Sequence, residues 1–291
     1  MTTQDTSSQR APLPPSGPPS GPRSDPLGSA GSAGSAHGAG QGVREVKSAA
    51  RTIEVLELLA ERGNAPVTIR DLCERMGAPR SSVYALLRTL VDAGWVRTDA
   101  LNTEYSIGIR ALLAGTTYLD ADPILNAVRP VLHEVGRRLD ATVNFGRLDG
   151  GDIVYLATWE APGRERSAPR VGRRLPAHAT AIGQAVLSTL EDPASRLAPP
   201  LARLTDATVT DPVELLRIVQ ITRERGYARE DGQNTPRVAC VAIPMPVRAV
   251  GERSLDGLSV SFHGPTLTAA REREAAVVLR EASRQILAGL P

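Results

Sequence analysis

The stretch VTIRDLCERMGAPRSSVYALLRTLVDAGWVRTDALNTEYSIG, residues 67–108, decides the fold of the first half of the chain. Thr68 is a suitable N-cap for a helix, and Asp71 three residues later completes the pattern of a capping box. Gly77 favours a left-handed helix end, and Pro79 favours the start of a second helix. The stretch therefore predicts two short helices joined by a tight turn.

The second helix is predicted to run to about residue 93, just before Gly94. Its apolar residues repeat at the i, i+3, i+4 and i+7 positions of one helix face, namely Val83, Leu86, Leu87 and Leu90. The residues left on the outer face are Ser81, Tyr84, Ala85 and Arg88. Two alternating segments, 95–98 and 104–107, follow as a ribbon whose polar tip is 99–103.

A further helix is predicted ahead of this pair, over residues 48–62, with an apolar row of Ile53, Leu56 and Leu59 that closes a small core. A pair of helices with a short turn also occurs in ordinary helical domains. The helix in front and the ribbon behind complete the order of a winged helix-turn-helix, which is typical of DNA-binding domains.

The outer face of the second helix suits the major groove of double-stranded DNA, because hydroxyls near a helix N-terminus bind phosphates and arginine binds guanine or phosphate. We expect the wing to follow an adjacent backbone or minor groove. The predicted DNA contacts are Arg51, Arg80, Ser81, Ser82, Tyr84, Arg88, Asn102 and Thr103. One such helix covers too few base pairs for specificity in a genome, so we expect a homodimer on a pseudo-palindromic site.

Composition limits the other classes of function. At 291 residues and 41% hydrophobic residues, the chain has room for two folded domains and a tail. Its two cysteines lie in no Cys or His cluster, which predicts no metal site and no cofactor and fits a reducing compartment. The chain contains neither an 18-residue apolar run nor a signal peptide, so we expect a cytoplasmic protein without a membrane partner.

The chain divides into four predicted segments. Residues 1–43 are rich in Pro, Gly, Ser and Ala, a composition typical of disorder. The winged domain occupies 44–108, a linker helix 109–122, and an α/β domain 123–291. The linker helix carries Leu112, Leu113 and Thr116 on one face and is placed to contribute dimer contacts.

In the α/β domain, Asp122 and Pro123 predict the start of a helix, and Pro130 predicts a break before residues 131–139. A hairpin is predicted from 142–148 and 153–158 around a tight turn. Further helices are expected at 179–190, 213–225 and 268–287. Further strands are expected at 238–243 and 258–262.

From residue 48 to the C-terminus, the chain resembles the IclR family of bacterial transcription regulators. The motifs that carry the resemblance in the first half are SAARTIEVLELLA, TIRDLCERMGAPRSSVYALLRTLVDAGWV and EYSIG. In the second half they are VGRRLPAHATAIGQAVL, RGYAREDGQNTPRVACVAIPM and LSVSFHGP. The resemblance implies an α+β protein in which a winged helix-turn-helix precedes a GAF-like effector-binding domain. It also implies a ligand-responsive regulator, not an enzyme, that assembles as a homodimer or a homotetramer.

The resemblance also implies where a small organic, acidic effector binds. The positions that match the family's effector site are Leu175, His178, Ala181, Ile182, Glu230, Asp231, Cys240, Ser259 and Ser261. From the residues alone, a loop or capping role for His178 is as well supported as a role in effector binding. A place in the core is the simpler interpretation of Cys240.

The chain departs from the family pattern in three places. Tyr84-Ala85 replaces the usual His-Arg, while Arg88 replaces a small residue one turn later on nearly the same face. Gln184 stands where the family commonly has Lys, and SFHGP carries two extra residues. The operator and the effector of a relative therefore do not predict those of this chain.

Two alternatives remain open at the level of sequence. A hydrolytic enzyme would use Asp256, Ser259 and His263, although Ser259 and His263 would lie about 13 Å apart on one strand and no G-x-S-x-G motif is present. A thiol redox sensor on a DNA-binding scaffold would rest on Cys73 and Cys240.

Overall fold

The computed structural model describes residues 46–62, 65–160, 171–246, 255–264 and 267–290. The tail predicted over residues 1–43 lies outside these described residues, so its predicted disorder stays a prediction.

The first half folds as a winged helix-turn-helix. Its elements are α1 (Lys47–Glu61), β1 (Val67–Thr68), α2 (Ile69–Met76), α3 (Arg80–Asp92), β2 (Val96–Thr98) and β3 (Glu104–Ile107). The three strands form one antiparallel sheet in the order β1-β3-β2. Strand β1 was not predicted, since two residues are too few to show a period.

Local capping fixes the helix-turn-helix. The Thr68 hydroxyl accepts a hydrogen bond from the Asp71 backbone N–H at 3.2 Å, and the Asp71 carboxylate accepts one from the Thr68 N–H at 3.1 Å. Gly77 is left-handed, with φ of 56°, and its N–H bonds the Cys73 carbonyl. Both predictions from the sequence are therefore confirmed.

The core of this half confirms part of the row predicted for α1, since Leu59 is buried and Leu56 packs against the core. Val55, Leu58 and Leu59 are buried, whereas Ile53 is 57% exposed. The prediction that Ile53 faces the core was wrong because two overlapping i, i+3 rows run along α1, and packing selects the row through Val55 and Leu58. The predicted stripe of α3 is confirmed, with Val83, Leu87 and Leu90 buried and Leu86 partly so.

Two helices follow, α4 (Ile109–Ala121) and α5 (Pro123–Leu139). Asp122 lies between them and caps α5 by accepting a hydrogen bond from the Ile124 N–H at 3.1 Å. The predicted break at Pro130 is wrong, because α5 continues through it. Pro130 and Asn126, whose carbonyl loses its helical partner, both lie on the exposed side, where water replaces that bond.

The second half is built on a six-stranded antiparallel sheet in the order β6-β5-β4-β9-β8-β7. Its strands are β4 (Thr142–Asp149), β5 (Asp152–Trp159), β6 (Arg174–Pro176), β7 (Ala228–Asp231), β8 (Val238–Pro244) and β9 (Asp256–His263). The predicted hairpin is confirmed as β4 and β5, joined through Gly150, which has a φ of 61°.

Helices cover both faces of this sheet. On one face, α5 and α8 (Ala269–Ala288) enclose the larger apolar core, which includes Phe145, Val241 and Val260. On the other face lie α6 (Ala181–Leu187) and α7 (Pro212–Arg225). The helix predicted at 179–190 is shorter than expected, because a 3₁₀ turn occupies Ala177–Ala179 and the Thr180 hydroxyl then caps α6.

Across the described ranges, no helix combines the length and the apolar character that a membrane span requires.

Candidate functional site

The outer face of α3 presents the side chains predicted to contact DNA. Arg80, Ser81, Tyr84 and Arg88 are exposed, and Ser82 is half-buried. The stripe beneath them is buried, so packing holds the face outward. Arg88 has only a loose ion pair with Asp92 on the same helix, at 4.0 Å, and its guanidinium remains open to a partner.

The N-terminus of α3 is open as well. Its N-cap is Pro79, which provides no side-chain acceptor, and no side chain in the described structure caps the helix. No described side chain therefore caps the backbone N–H groups of Arg80 and Ser81, whereas that of Ser82 bonds the Pro79 carbonyl at 3.0 Å, and an uncapped helix start of this kind suits a phosphate.

The wing is a tight turn organised by Asp99. Its carboxylate accepts hydrogen bonds from the backbone N–H groups of Thr103 at 2.7 Å and Glu104 at 2.9 Å, and from the Thr103 hydroxyl at 2.9 Å. These bonds, led by that of Glu104, hold the pKa of Asp99 well below its usual range. Asn102 lies at the exposed tip with a φ of 56°.

The remaining predicted DNA contact, Arg51, lies on the exposed side of α1. The structure thus gathers five of the predicted residues on α3 and two on the wing, and it places the eighth on a separate helix.

The second half contains a cavity of about 210 Å³ between the sheet and the start of α6. The residues that line it are Tyr155, Arg173, Leu175, Thr180, Ala181, Ile182, Glu230, Asn234, Thr235, Val238, Cys240, Ser259, Ser261 and His263. Seven of the nine residues predicted to bind an effector are among them.

Strand alternation explains why this cavity has a polar wall. On β9, Leu258, Val260 and Phe262 enter the large core, and the residues between them, Ser259 and Ser261, face the cavity. The Ser261 hydroxyl accepts hydrogen bonds from the Cys240 thiol at 3.3 Å and from the amide of the fully buried Asn144 at 3.4 Å. The wall is therefore a preformed network of hydroxyl, thiol and amide groups.

Glu230 is the buried charged group of the cavity, with 3% of its surface exposed. Burial raises the pKa of its carboxyl to about 7, and hydrogen bonds from the Gln233 backbone and the Cys240 thiol oppose that shift. The Gln233 N–H donates to Glu230 Oε2 at 2.9 Å. At neutral pH this carboxyl is therefore divided between its protonated and ionised forms.

The cavity's cationic side chain, Arg173, and its imidazole, His263, lie at its exposed side. Asn234 adds a donor in the interior, because its Nδ2 atom is buried and has no hydrogen-bond partner in the described structure. The cavity thus combines a deep end of neutral donors and one titrating carboxyl with a cationic rim.

Two predicted effector residues lie outside the lining. His178 is buried, and its Nε2 lies 2.9 Å from the Ala202 carbonyl. This hydrogen bond holds the loop that contains Ala202 in place. Asp231 is exposed and pairs with Arg229 at 3.3 Å.

Several lining residues were not predicted. Val238 and His263 share strand parity with Cys240 and with Ser259, so alternation along β8 and β9 was a sufficient signal for both. No sequence signal identified Tyr155, Arg173 or Asn234, because they reach the cavity from strands and loops distant in sequence.

The alternatives find no support in the geometry. A hydrolytic trio would need Asp256, but both of its carboxylate oxygens accept hydrogen bonds from Arg147, at 2.6 and 2.8 Å. Cys73 and Cys240 form no disulfide and pack against different apolar clusters, so the structure does not pair them as a redox site. Among the described residues, no group of three or more His, Cys, Asp or Glu side chains is placed to hold a metal ion.

Comparisons with known proteins agree with this architecture. A family model described as the bacterial transcriptional regulator IclR C-terminal region matches residues 116–288, and one described as the IclR helix-turn-helix domain matches residues 48–100. The chain is 30% identical to the HTH-type transcriptional regulator XynR of Escherichia coli (strain K12), over 78% of this chain and 92% of that protein.

Solved structures share the fold. The crystal structure of an IclR transcriptional regulator from Alicyclobacillus acidocaldarius has 25% identity and a TM-score of 0.72, with coverage of 84% of this chain and 99% of that one. An IclR homolog from Microbacterium hydrocarbonoxydans, complexed with 4-hydroxybenzoate, has 22% identity and a TM-score of 0.67, with coverage of 83% and 98%.

Proposed function

The chain belongs to the IclR family of bacterial transcription regulators, and we propose that it binds a pseudo-palindromic operator as a homodimer or dimer of dimers under the control of a small organic acid. It is a DNA-binding regulator with a ligand-binding C-terminal domain, not an enzyme. We also propose that it acts in the cytoplasm, where bacterial DNA is located. The proposed domains are the segments 44–108 and 123–291, joined by a linker.

One observation carries the DNA-binding part of the proposal: α3 exposes Arg80, Ser81, Tyr84 and Arg88 on the side opposite an apolar stripe that packs into the core. In this proposal, α3 enters the major groove, Arg88 contacts a base or phosphate, and Ser81 and the open helix N-terminus contact phosphates. Asn102 and Thr103 of the wing follow the neighbouring backbone or minor groove, and Arg51 adds a phosphate contact.

The proposed dimer interface is the linker helix α4. None of its residues is buried, although Ile109, Leu112 and Leu113, which share one face, are large and more than half exposed. A helix with an apolar face that none of the described residues covers is suited to a partner surface. A second copy brings two α3 helices to one operator, as a pseudo-palindrome requires.

Sedimentation velocity tests this interface. We expect Leu112→Glu together with Leu113→Glu to give a monomer that no longer binds an operator, because two charges would enter the apolar contact. The matched control is Val213→Glu, which charges an apolar residue on α7 that is 75% exposed, more than either leucine. A dimer that persists in the double variant would overturn the proposed interface.

The chemistry of the cavity supports the proposed class of effector. A volume of about 210 Å³ is below the roughly 300–1,000 Å³ of clefts that bind drug-sized molecules. The cationic rim suits a carboxylate, and the deep end suits a hydroxyl or carbonyl group that bonds Glu230, Asn234 or Ser259. We therefore propose a small hydroxy or oxo acid.

A thermal-shift experiment tests this class. The probes are aliphatic and aromatic monocarboxylic acids, each with and without a hydroxyl or oxo group, and 4-hydroxybenzoate is one of them. We expect a hydroxy or oxo acid to raise the melting temperature, because a ligand that binds only the folded state stabilises it. Ser259→Ala should remove the shift and Ser188→Ala, a buried serine outside the cavity, should retain it. An equal shift in both variants would contradict the proposed site.

A further inference from the structure

Arg147 on β4 is the centre of a partly buried ionic cluster. Its Nε and Nη2 donate to the two carboxylate oxygens of Asp256 at 2.6 and 2.8 Å. Its Nη1 donates to Asp122 at 2.6 Å and to the Tyr118 hydroxyl at 2.7 Å. One guanidinium therefore holds two side chains from the junction of α4 and α5 and one from β9.

The hydrogen bonds of this cluster depend strongly on the positions of its charged groups. The Arg147 side chain is 23% exposed, and those of Asp122 and Asp256 are 9% and 11% exposed, so two carboxylates depend on one cation in a poorly hydrated place. The planar guanidinium binds in a fixed fork geometry. If one partner moves, the guanidinium must therefore either move with it, and so displace the other partners, or lose the charge-assisted hydrogen bond to it.

Each partner of Arg147 belongs to an element with a role in the proposed function. Asp256 begins β9, and Ser259 and Ser261 on the same strand form the cavity wall. Tyr118 lies in the last turn of α4, and Asp122 joins α4 to α5 and caps α5. The cluster connects the strand that faces the effector with the helix that leads from the winged domain.

We propose that Arg147 is the positioning residue that couples the effector cavity to the linker helix. It touches neither the cavity nor the proposed DNA surface. A shift of β9 on ligand binding moves Asp256, the guanidinium follows, and the Tyr118 end of α4 moves with it. This inference rests on the proposed function, in which occupancy of the cavity changes the affinity for DNA.

The test uses a covalent occupant of the cavity, because the natural effector is unidentified. In a Cys73→Ala background, Cys240 is the single thiol of the chain and lines the cavity. Iodoacetamide attaches a carbamidomethyl group to it, mass spectrometry measures the extent, and circular dichroism confirms the fold. Methyl methanethiosulfonate provides a smaller label if the first one unfolds the protein.

The readout is the Kd for a duplex selected from random DNA by the unmodified protein, before and after labelling. We expect labelling to change this Kd by about fivefold or more in the Cys73→Ala protein, the lower end of typical couplings between sites. Tyr118→Phe removes only the α4 end of the cluster and should remove at least half of that change. Arg147→Lys keeps the charge, loses the fork geometry, and should act in the same direction.

The matched control is Arg138→Gln, which breaks an ion pair of 2.6 Å with Glu281 between α5 and α8 and should leave the response to labelling intact. A full response in both Tyr118→Phe and Arg147→Lys would overturn the role of Arg147 and leave the proposed function standing. A Cys73→Ala protein that binds the duplex but does not respond to labelling would overturn the coupling altogether, and with it the proposed control by ligand.

Discussion

The winged domain and the effector domain place their functional side chains in opposite directions. On α3, Arg80, Tyr84 and Arg88 point outward from a closed apolar core. In the effector domain, Glu230, Ser259 and Ser261 point inward and are nearly fully buried. The first arrangement separates function from stability, and the second makes the same groups serve both.

The difference has an energetic basis. An exposed side chain loses little solvation on folding, so its removal leaves the free energy of unfolding almost unchanged. A buried polar group needs its partners, and a buried ionised group costs free energy even when it is hydrogen-bonded. Substitutions in the cavity should therefore change the free energy of unfolding, whereas substitutions on the outer face of α3 should leave it almost unchanged.

The largest effect is expected for Glu230→Gln in the effector domain. The carboxyl has a raised pKa of about 7 in the fold, so the folded state holds a proton that the unfolded state has released between about pH 4.5 and pH 7. The stability of the natural chain should fall as the pH rises through that window. Above it, the glutamine variant should be more stable by about 3 kcal/mol, since it never ionises.

Urea denaturation of both proteins at pH 5 and pH 8 measures this difference. Other carboxyls titrate in the two proteins alike, so the difference between the curves isolates position 230. A difference that does not grow with pH would show that this buried carboxyl costs no stability when it ionises.

Arg88→Ala is expected to weaken binding of the selected duplex by about 1–3 kcal/mol and to leave the melting temperature unchanged. Its side chain is 73% exposed, and in the described part of the chain its ion pair is a loose one with Asp92 at 4.0 Å, so the main loss is the DNA contact. Fluorescence anisotropy on matched and mismatched duplexes separates two roles. A base contact alters sequence preference, whereas a phosphate contact weakens all sequences alike. Unchanged binding would exclude Arg88 from the interface.

Thr68→Ala should destabilise the winged domain by about 1 kcal/mol, because it removes the capping box that starts α2. Thr68 is exposed yet structural, so this variant tests whether exposure alone predicts a neutral effect. Thr89→Ala on the exposed side of α3 is the control, since its hydroxyl bonds the Ala85 carbonyl of its own helix. Equal melting temperatures for the two variants would mean that the cap does not contribute.

The smallest effect is expected for Asp92→Asn, which releases Arg88 from its ion pair of 4.0 Å. Both side chains are 73% exposed, so stability should change by less than about 0.5 kcal/mol. Duplex affinity should rise slightly, since one negative charge leaves the DNA-facing side. Anisotropy at two salt concentrations measures this, and a loss of affinity would indicate that Asp92 positions Arg88.

Much of the winged domain follows from its sequence because its signals are local. The capping box at Thr68, the left-handed Gly77 and the stripe of α3 each lie within a few residues of what they determine. Ile53 was misplaced because α1 carries two apolar rows, and only tertiary packing chooses between them. The break predicted at Pro130 was wrong because this residue lies on the solvent-exposed face of α5, where a proline is tolerated.

The cavity is non-local, and the residues alone did not predict it. Glu230, Cys240 and Ser259 entered through the family resemblance, not through spacing. Arg173 and Asn234 reach the same cavity from loops, and no periodic pattern marks a loop residue. The Arg147 cluster joins residues separated by more than one hundred positions, so no sequence window contains it.

Selection of bound duplexes from a random DNA pool tests the central claim most directly. The purified chain is expected to recover one pseudo-palindromic motif whose half-sites lie one helical turn, about 34–36 Å, or a multiple of it apart. Arg88→Ala in parallel should recover a weaker or altered motif. If a folded, dimeric protein recovers no motif at all, the winged domain does not read DNA sequence, and the account of this chain as an operator-binding regulator is contradicted.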